Sequence, residues 1–358
     1  MAVVKPFRAV HYDEQRAGPL ADLVAPPYDV IGPDERRSLL ERSAHNVVHL
    51  TLPDSENKAA TAWREWLDKG VLFAEDEPGF WALSQDYVGP DGVARTRAGL
   101  VASLRLELYE NRVVLPHERT HAGPKEGRLR LLRATGVQLE PIFLLYDGEQ
   151  PFEIPAGEPD LGLEGTRLWR LQTGGIAAAF ADRQLLIADG HHRYETALAY
   201  HAERGTEESA WMLVVLVSMR DQGLTIFPTH RVFAGERLLS PHGAGEDPER
   251  VLEELEALPY ERAAAVQVTA SGAGVVTGEP GQLDVQLVDR LGHEGIAYTP
   301  DWREAVRRVR EGEAGSAYLL RPTRIEDVFA AARRGEVMPQ KTTYFFPKLL
   351  SGLLFHPA

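Results

Sequence analysis

Cysteine is missing from all 358 residues. Its absence excludes disulfides, thiolate nucleophiles, and cysteine-held zinc or iron–sulfur sites. The Walker phosphate pattern is missing too, and no strand leads into a GxGxxG turn. Long apolar runs are absent: Trp211 to Met219 is about half the length a bilayer requires. Met1 to Val10 carries Lys5 and Arg8 with no apolar run behind them, so no signal peptide is expected and the expected location is cytoplasmic. Positive charge is short: 39 Lys and Arg against 53 Asp and Glu leave −14. Such a chain repels nucleic acid, and neither a nucleic-acid nor a membrane partner is expected. The densest basic stretches, Arg128 to Arg133 and Arg303 to Arg310, are interleaved at helical spacing and read as solvated helix faces.

What is present reads as a folded α+β protein with 44% hydrophobic and 26% charged residues. The length suits two domains. Strands are expected at Val3 to Val10, Asn46 to Leu52, Phe80 to Tyr87 and Arg95 to Leu106, the last two joined by a hairpin turn into an inserted meander. Further strands are expected at Pro141 to Tyr146, Thr166 to Leu171, Gln184 to Ala188 and Trp211 to Met219. Helices are expected at Pro33 to Arg42, Ala59 to Leu67, Leu129 to Ala134 and His192 to Glu203. From about Gly235 the texture turns rich in Gly and acid. The expectation is a first domain over 1–234, a smaller α+β domain over 235–335, and a tail over 336–358 packing back on the first.

The most informative unit is Ala188-Asp189-Gly190-His191-His192-Arg193, a strand running through glycine into a helix. Gly190 lets an anion approach the backbone. The first helical amides lack intrahelical acceptors, and the dipole adds positive potential there. His192 and Arg193 add side-chain donors, Arg193 as a bidentate phosphate clamp. Asp189 precedes the seat, where it caps the helix, orients a histidine or binds a metal. Glu195, one turn on, is placed to orient His191 or His192, or else is solvated. Basic residues in a first helical turn oppose the dipole, which favours function over chance.

Other constellations are weaker. His117-Glu118-Arg119-Thr120-His121 spells the zincin letters, but Pro116 and Gly123-Pro124 deny it the helix a zincin needs, so no metal site and no zinc hydrolase is expected. It reads either as a catalytic loop, with Glu118 as base and Arg119 as anion contact, or as a polar turn. Asp29 sits in the rigid stretch Ala25-Pro26-Pro27-Tyr28-Asp29-Val30, as a positioned carboxylate or a cap for the helix at Pro33. Thr229-His230-Arg231 offers another His–Arg pair. Lys341 and Lys348 flank the aromatic tail, and each alone is weak. Arg95 and Arg97 alternate on a strand, where surface placement is expected.

Five stretches in order resemble the domain of unknown function numbered 1015. They are 25–30, 116–120, Ala188 to Glu195, Pro228-Thr229-His230-Arg231 and Tyr344-Phe345-Phe346-Pro347-Lys348. Gly127 departs from the family pattern, which has an acid there. A looser likeness reaches the ParB/sulfiredoxin-like superfamily, which includes a free serine kinase. It implies a mixed-sheet core in which Gly190, His191, His192 and Arg193 bind phosphate or nucleotide. His191 replaces the sulfiredoxin cysteine, which excludes sulfinic acid repair.

The resulting expectation is phosphoryl transfer on a small phosphorylated metabolite, phosphoserine first, as phosphatase or kinase. Gly190, Arg193, Arg119, His230 and Arg231 would bind phosphate. His191, His192, Asp29 and Glu118 would do the chemistry, with Asp189 and Glu195 orienting. Mg2+ with ATP or ADP would serve a kinase; haem, flavin and iron–sulfur clusters are not expected. A second reading is a switch that binds ATP or CTP with little or no turnover.

Overall fold

Two apolar strands set the frame, because residues buried on both faces belong in the middle of a sheet. They are β8 (Leu185–Asp189) and β9 (Trp211–Ser218). Around them stand β1 (Val4–Lys5), β2 (Phe80–Val88), β3 (Ala94–Arg105), β4 (Val114–Leu115), β5 (Ile142–Tyr146), β6 (Leu161–Leu163) and β7 (Thr166–Leu171). The computed structural model describes residues 1–120, 122–172, 174–239, 242–339 and 341–358. The sheet order is β4-β8-β5-β9-β3-β2-β7-β6, with β1 beside β3. β4 runs parallel to β8, and β5 parallel to β9; the remaining pairs are antiparallel. The fold is therefore α+β with a mixed sheet.

Alternation sends Leu186, Ala188, Leu213 and Val215 to one core and Leu185, Ile187, Met212 and Val214 to the other. The first core holds α1 (Pro33–Arg42), α2 (Glu56–Asp68) and the tail residues Phe345, Leu349, Leu353 and Phe355. The second holds Tyr194 and Ala197 of a helix that lies beside α3 (Ala122–Thr135), namely α4 (His191–Arg204). An Arg133–Glu203 ion pair links α3 to α4. Among the described residues, no helix is long and apolar enough to cross a membrane.

A second sheet has the order β11-β13-β12-β15-β10-β14. Its strands are β10 (His230–Phe233), β11 (His242–Glu246), β12 (Arg262–Thr269), β13 (Gly272–Pro280), β14 (Ile296–Thr299) and β15 (Ser316–Leu319). One face packs against α5 (Pro248–Glu256) and α6 (Trp302–Arg310), and the other against the short helix Asp284–Asp289. A further helix, α7 (Ile325–Arg334), packs Val328, Phe329, Ala331 and Ala332 into the first core of the large sheet.

Three sequence expectations change. Asn46 to Leu52 is not a strand: Val48–Thr51 is a helical turn. The buried Asn46 explains it, because its amide donates to the Asp22 and Val24 carbonyls while its Oδ1 accepts from the Val48 amide. That side-chain bonding competes with a strand ladder. The short helix expected at Leu129 begins at Ala122, with Pro124 in the first turn, where a missing N–H costs nothing. Residues 117–120 remain outside it. Arg97 is not a surface residue: it is 1% exposed.

Candidate functional site

Strand β8 delivers its last residue to the site through an irregularity. Ile187 pairs with Leu144 and Asp189 with Phe143, so Ala188 is an extra residue in the ladder. Strict alternation would put Asp189 on the face of Leu185 and Ile187. The bulge turns it toward the face that carries the tail. Gly190 follows with φ +98 and serves as N-cap of α4, so the cap residue itself offers no side chain to the first amides. A Cβ there would lie 2.6 Å from Ile142 Cγ2 and 3.2 Å from Arg193 Cζ. Gly190→Ala should therefore cost about 2–3 kcal/mol, from left-handed strain plus the clash. A lowered urea midpoint at unchanged slope checks this.

The tail supplies what the local motif lacks. Lys348 Nζ bonds Asp189 Oδ1, and Arg193 Nη2 donates to Asp189 Oδ2 at 2.6 Å. Arg193 Nη1 donates to the Pro141 carbonyl at 2.5 Å. Burial would raise the Asp189 pKa, but Lys348 and then Arg193 outweigh it and hold the carboxyl well below its ordinary range. Burial works against the charge of Lys348, and Asp189 overcomes it and raises that pKa. The same balance raises Arg193, with Glu140 and Asp29 assisting Asp189. Arg193 is thus not an open clamp. It is engaged by Asp189 and Pro141, with its side chain 10% exposed.

A buried pair of rings lies beneath. His117 Nδ1 donates to the Ile187 carbonyl at 2.7 Å, and its Nε2 lies 3.0 Å from the Thr343 hydroxyl. The His117 amide donates to His191 Nε2 at 3.3 Å, and the two rings meet edge to face at 4.7 Å. Burial pushes both imidazoles toward the neutral form. His191 is therefore a strut under the helix start. His192 is half-buried in the first turn. Glu195 accepts from Thr120 at 2.7 Å and Lys125 at 2.6 Å, which ties the 117–120 loop and α3 to α4. Glu118 accepts from the Lys341 amide at 2.9 Å and so anchors the tail. Arg119 is exposed on the same loop. His121 lies outside the described residues.

Asp29 is exposed, and its charge acts on both Arg193 and Lys348. It does not cap the helix at Pro33, whose N-cap Gly32 has no side-chain bond. The neighbouring Tyr28 amide donates to Glu140, and the Arg128 guanidinium lies 4.1 Å from the Tyr28 ring centre. Arg128 thus leaves the solvated face expected for it.

His230 and Arg231 stand apart from the seat, on β10. His230 Nδ1 accepts from the Leu320 amide at 3.1 Å, and burial, then Arg231, lower its pKa to about 4. Arg231 is 0% exposed and donates to the Thr229 and Lys341 carbonyls. Because the folded His230 binds its proton more weakly, its stability is complete above the unfolded pKa and is lost as pH falls through about 4. The drop from 6.5 to about 4 is worth about 3 kcal/mol. His117 and His191 add slope of the same sign. His230→Asn keeps an acceptor without the titration, so urea midpoints should fall less between pH 7 and 4 than in the parent.

Two contributors escape the motif. Lys348 comes from 159 residues away. Arg97 holds the chain that carries it: Nη2 donates to Gln85 Oε1 at 2.6 Å and to the Pro347 carbonyl at 2.7 Å, and Nη1 to the Phe346 carbonyl at 3.3 Å. Burial lowers its pKa to about 10. Among the described residues, no group of three or more His, Asp or Glu side chains is placed to hold a metal ion.

Among solved structures, a free serine kinase in complex with AMP is similar at 19% identity and TM-score 0.40, over 67% of this chain and 89% of that one. A conserved hypothetical protein from Pyrococcus furiosus matches at 18% identity and TM-score 0.35, over 67% and 92%. SbnI with C-terminal truncation from Staphylococcus aureus matches at 13% identity and TM-score 0.37, over 67% and 82%. A search of curated proteins finds no match. The family model described as "Protein of unknown function (DUF1015)" matches residues 4–273, and with that span the chain belongs to this family.

Proposed function

We propose that the chain is a phosphoryl-transfer enzyme acting on a small phosphorylated metabolite, with phosphoserine the first candidate. The observation that carries this is the meeting of Lys348 and Arg193 on one carboxylate, Asp189, at a helix start whose N-cap is a glycine. Two cations share that one carboxylate beside amides that lack intrahelical acceptors, and the carboxylates of Asp29 and Glu140 act on them from further off. An incoming phosphate competes with Asp189 for Lys348 and takes the amides after Gly190. Phosphoryl transfer asks mainly for such positioning and charge neutralisation.

In this reading Lys348 takes the phosphate contact first given to Arg193, and Arg193 sets the depth of the seat. His192 is the acid or base at the leaving oxygen. Asp29, exposed at the mouth, takes the proton of the attacking water or hydroxyl as the new phosphorus–oxygen bond forms and the old one breaks. In the kinase direction ATP or ADP is the donor. Mg2+ would arrive on the phosphates, since this ion keeps most of its waters and needs only one or two carboxylates, of which Asp29 is the one at hand.

The test is a screen for phosphate release from phosphorylated metabolites, phosphoserine first, and for transfer from ATP or ADP to serine, each with and without Mg2+. His192→Ala and Asp29→Asn should each lose about a hundredfold or more in kcat while remaining folded. A protein that neither binds nor turns over any compound in the panel overturns the reading.

A further inference from the structure

A small cleft opens between α3 and α4. Leu131 of α3, Ala197 of α4 and Met212 of β9 give it apolar walls, and Arg128 and Arg193 stand in its lining. One polar atom there is unexplained: Thr196 is 4% exposed, and its Oγ1 has no hydrogen-bond partner. A buried hydroxyl left unpaired is costly, and such exceptions in a folded protein call for a missing partner. Arg193 belongs both to this cleft and to the phosphate seat.

We propose that this cleft holds the heteroaromatic base of a nucleotide whose phosphates occupy the seat at Gly190, an inference that rests on that seat. Residues three and four apart share a helix face, so Arg193, Thr196 and Ala197 form one continuous wall. From Gly190 to Thr196 the helix rises about 9 Å, which is the scale of the reach from a nucleotide's phosphates to its base. A flat ring suits the apolar walls, and a ring nitrogen or amino group satisfies the lone Thr196 hydroxyl. Arg128 and Arg193 then flank the sugar and phosphate side, where their charge is useful.

Titration calorimetry with ADP and with pyrophosphate separates base from phosphate. The parent should bind ADP at least about tenfold more tightly than pyrophosphate, the gain expected of a buried ring. Thr196→Val is isosteric and removes only the unpaired hydroxyl, so its melting midpoint should not fall. It should weaken ADP about three- to tenfold, one hydrogen bond's worth. Ala197→Leu fills the cleft and should weaken ADP more than tenfold, an overpacking effect. Pyrophosphate affinity should stay within about twofold in both variants, because neither side chain reaches the seat.

Equal losses for ADP and pyrophosphate, or no loss for ADP in either variant, overturn the base assignment. Pyrophosphate binding with no extra affinity for ADP overturns it while the phosphate seat stands. Binding of neither compound by the parent removes the seat and the cleft assignment together.

Discussion

Lys348→Met should lower kcat/KM for phosphoryl transfer by about two to three orders of magnitude, the usual cost of one preorganised charge-stabilising donor. The ammonium is the one cation of the seat that arrives from another part of the chain. Its hydrogen-bond partner is the Asp189 carboxylate, which a phosphate oxygen can replace, and the Tyr344 ring lies 5.9 Å away. Arg193 has less freedom, because Pro141 holds its other nitrogen. Folding should suffer less than activity. Asp189 keeps Arg193 after the change, so the loss should be about 1–2 kcal/mol, that of one charged hydrogen bond. The pH dependence has a definite sign. With its folded pKa raised, Lys348 contributes stability that is complete below its ordinary value of 10.5 and is lost as pH rises through the folded value. Parent melts should therefore fall more steeply than Lys348→Met melts in strong alkali. Unimpaired turnover in Lys348→Met, with the melt lowered as expected, would leave the lysine a structural role only.

The strand, the turn and α4 were legible because their signals are local. An apolar run, a glycine and a 3.6-residue apolar face lie within twenty consecutive residues or so. Lys348 stood out only weakly, as a flank of the aromatic tail, and its contact with Asp189 was not legible, because spacing within a motif says nothing about a contact made across 159 residues. The available hint was compositional: Tyr344-Phe345-Phe346-Pro347 is too apolar to be free, so a lysine next to it had to be carried inward. Arg97 misled for a related reason. Period-two alternation names a face but not what covers it. Here the face is covered by the tail, whose carbonyls accept from the guanidinium. The zincin letters at 117–121 show the converse: residues 117–120 lie outside any helix, although Gly123 and Pro124, expected to bar one, sit in the first turn of α3. What the letters hid was His117 itself, buried against Ile187 and His191.

Asp189→Asn should cost more stability than any other single change at the seat, about 3–5 kcal/mol, because it leaves two largely buried cations facing each other without their carboxylate. Side-chain exposures of 20% for Lys348 and 10% for Arg193 limit the relief that water can give. The parent's own contribution from this carboxyl has a pH signature. Its folded pKa is depressed, so the stability is complete above the ordinary carboxylate value and is lost as pH falls through the folded value. The parent should lose stability below about pH 4 on this account, and Asp189→Asn should lack that part of the slope. The same variant bears on the phosphate seat without any assay of turnover. With the internal carboxylate gone, an external dianion has both cations to itself. Added phosphate should then raise the melting midpoint of Asp189→Asn more than that of the parent, by the linkage between binding and folding. Equal shifts, or a larger one in the parent, would mean that Lys348 and Arg193 do not face a place where an anion can sit.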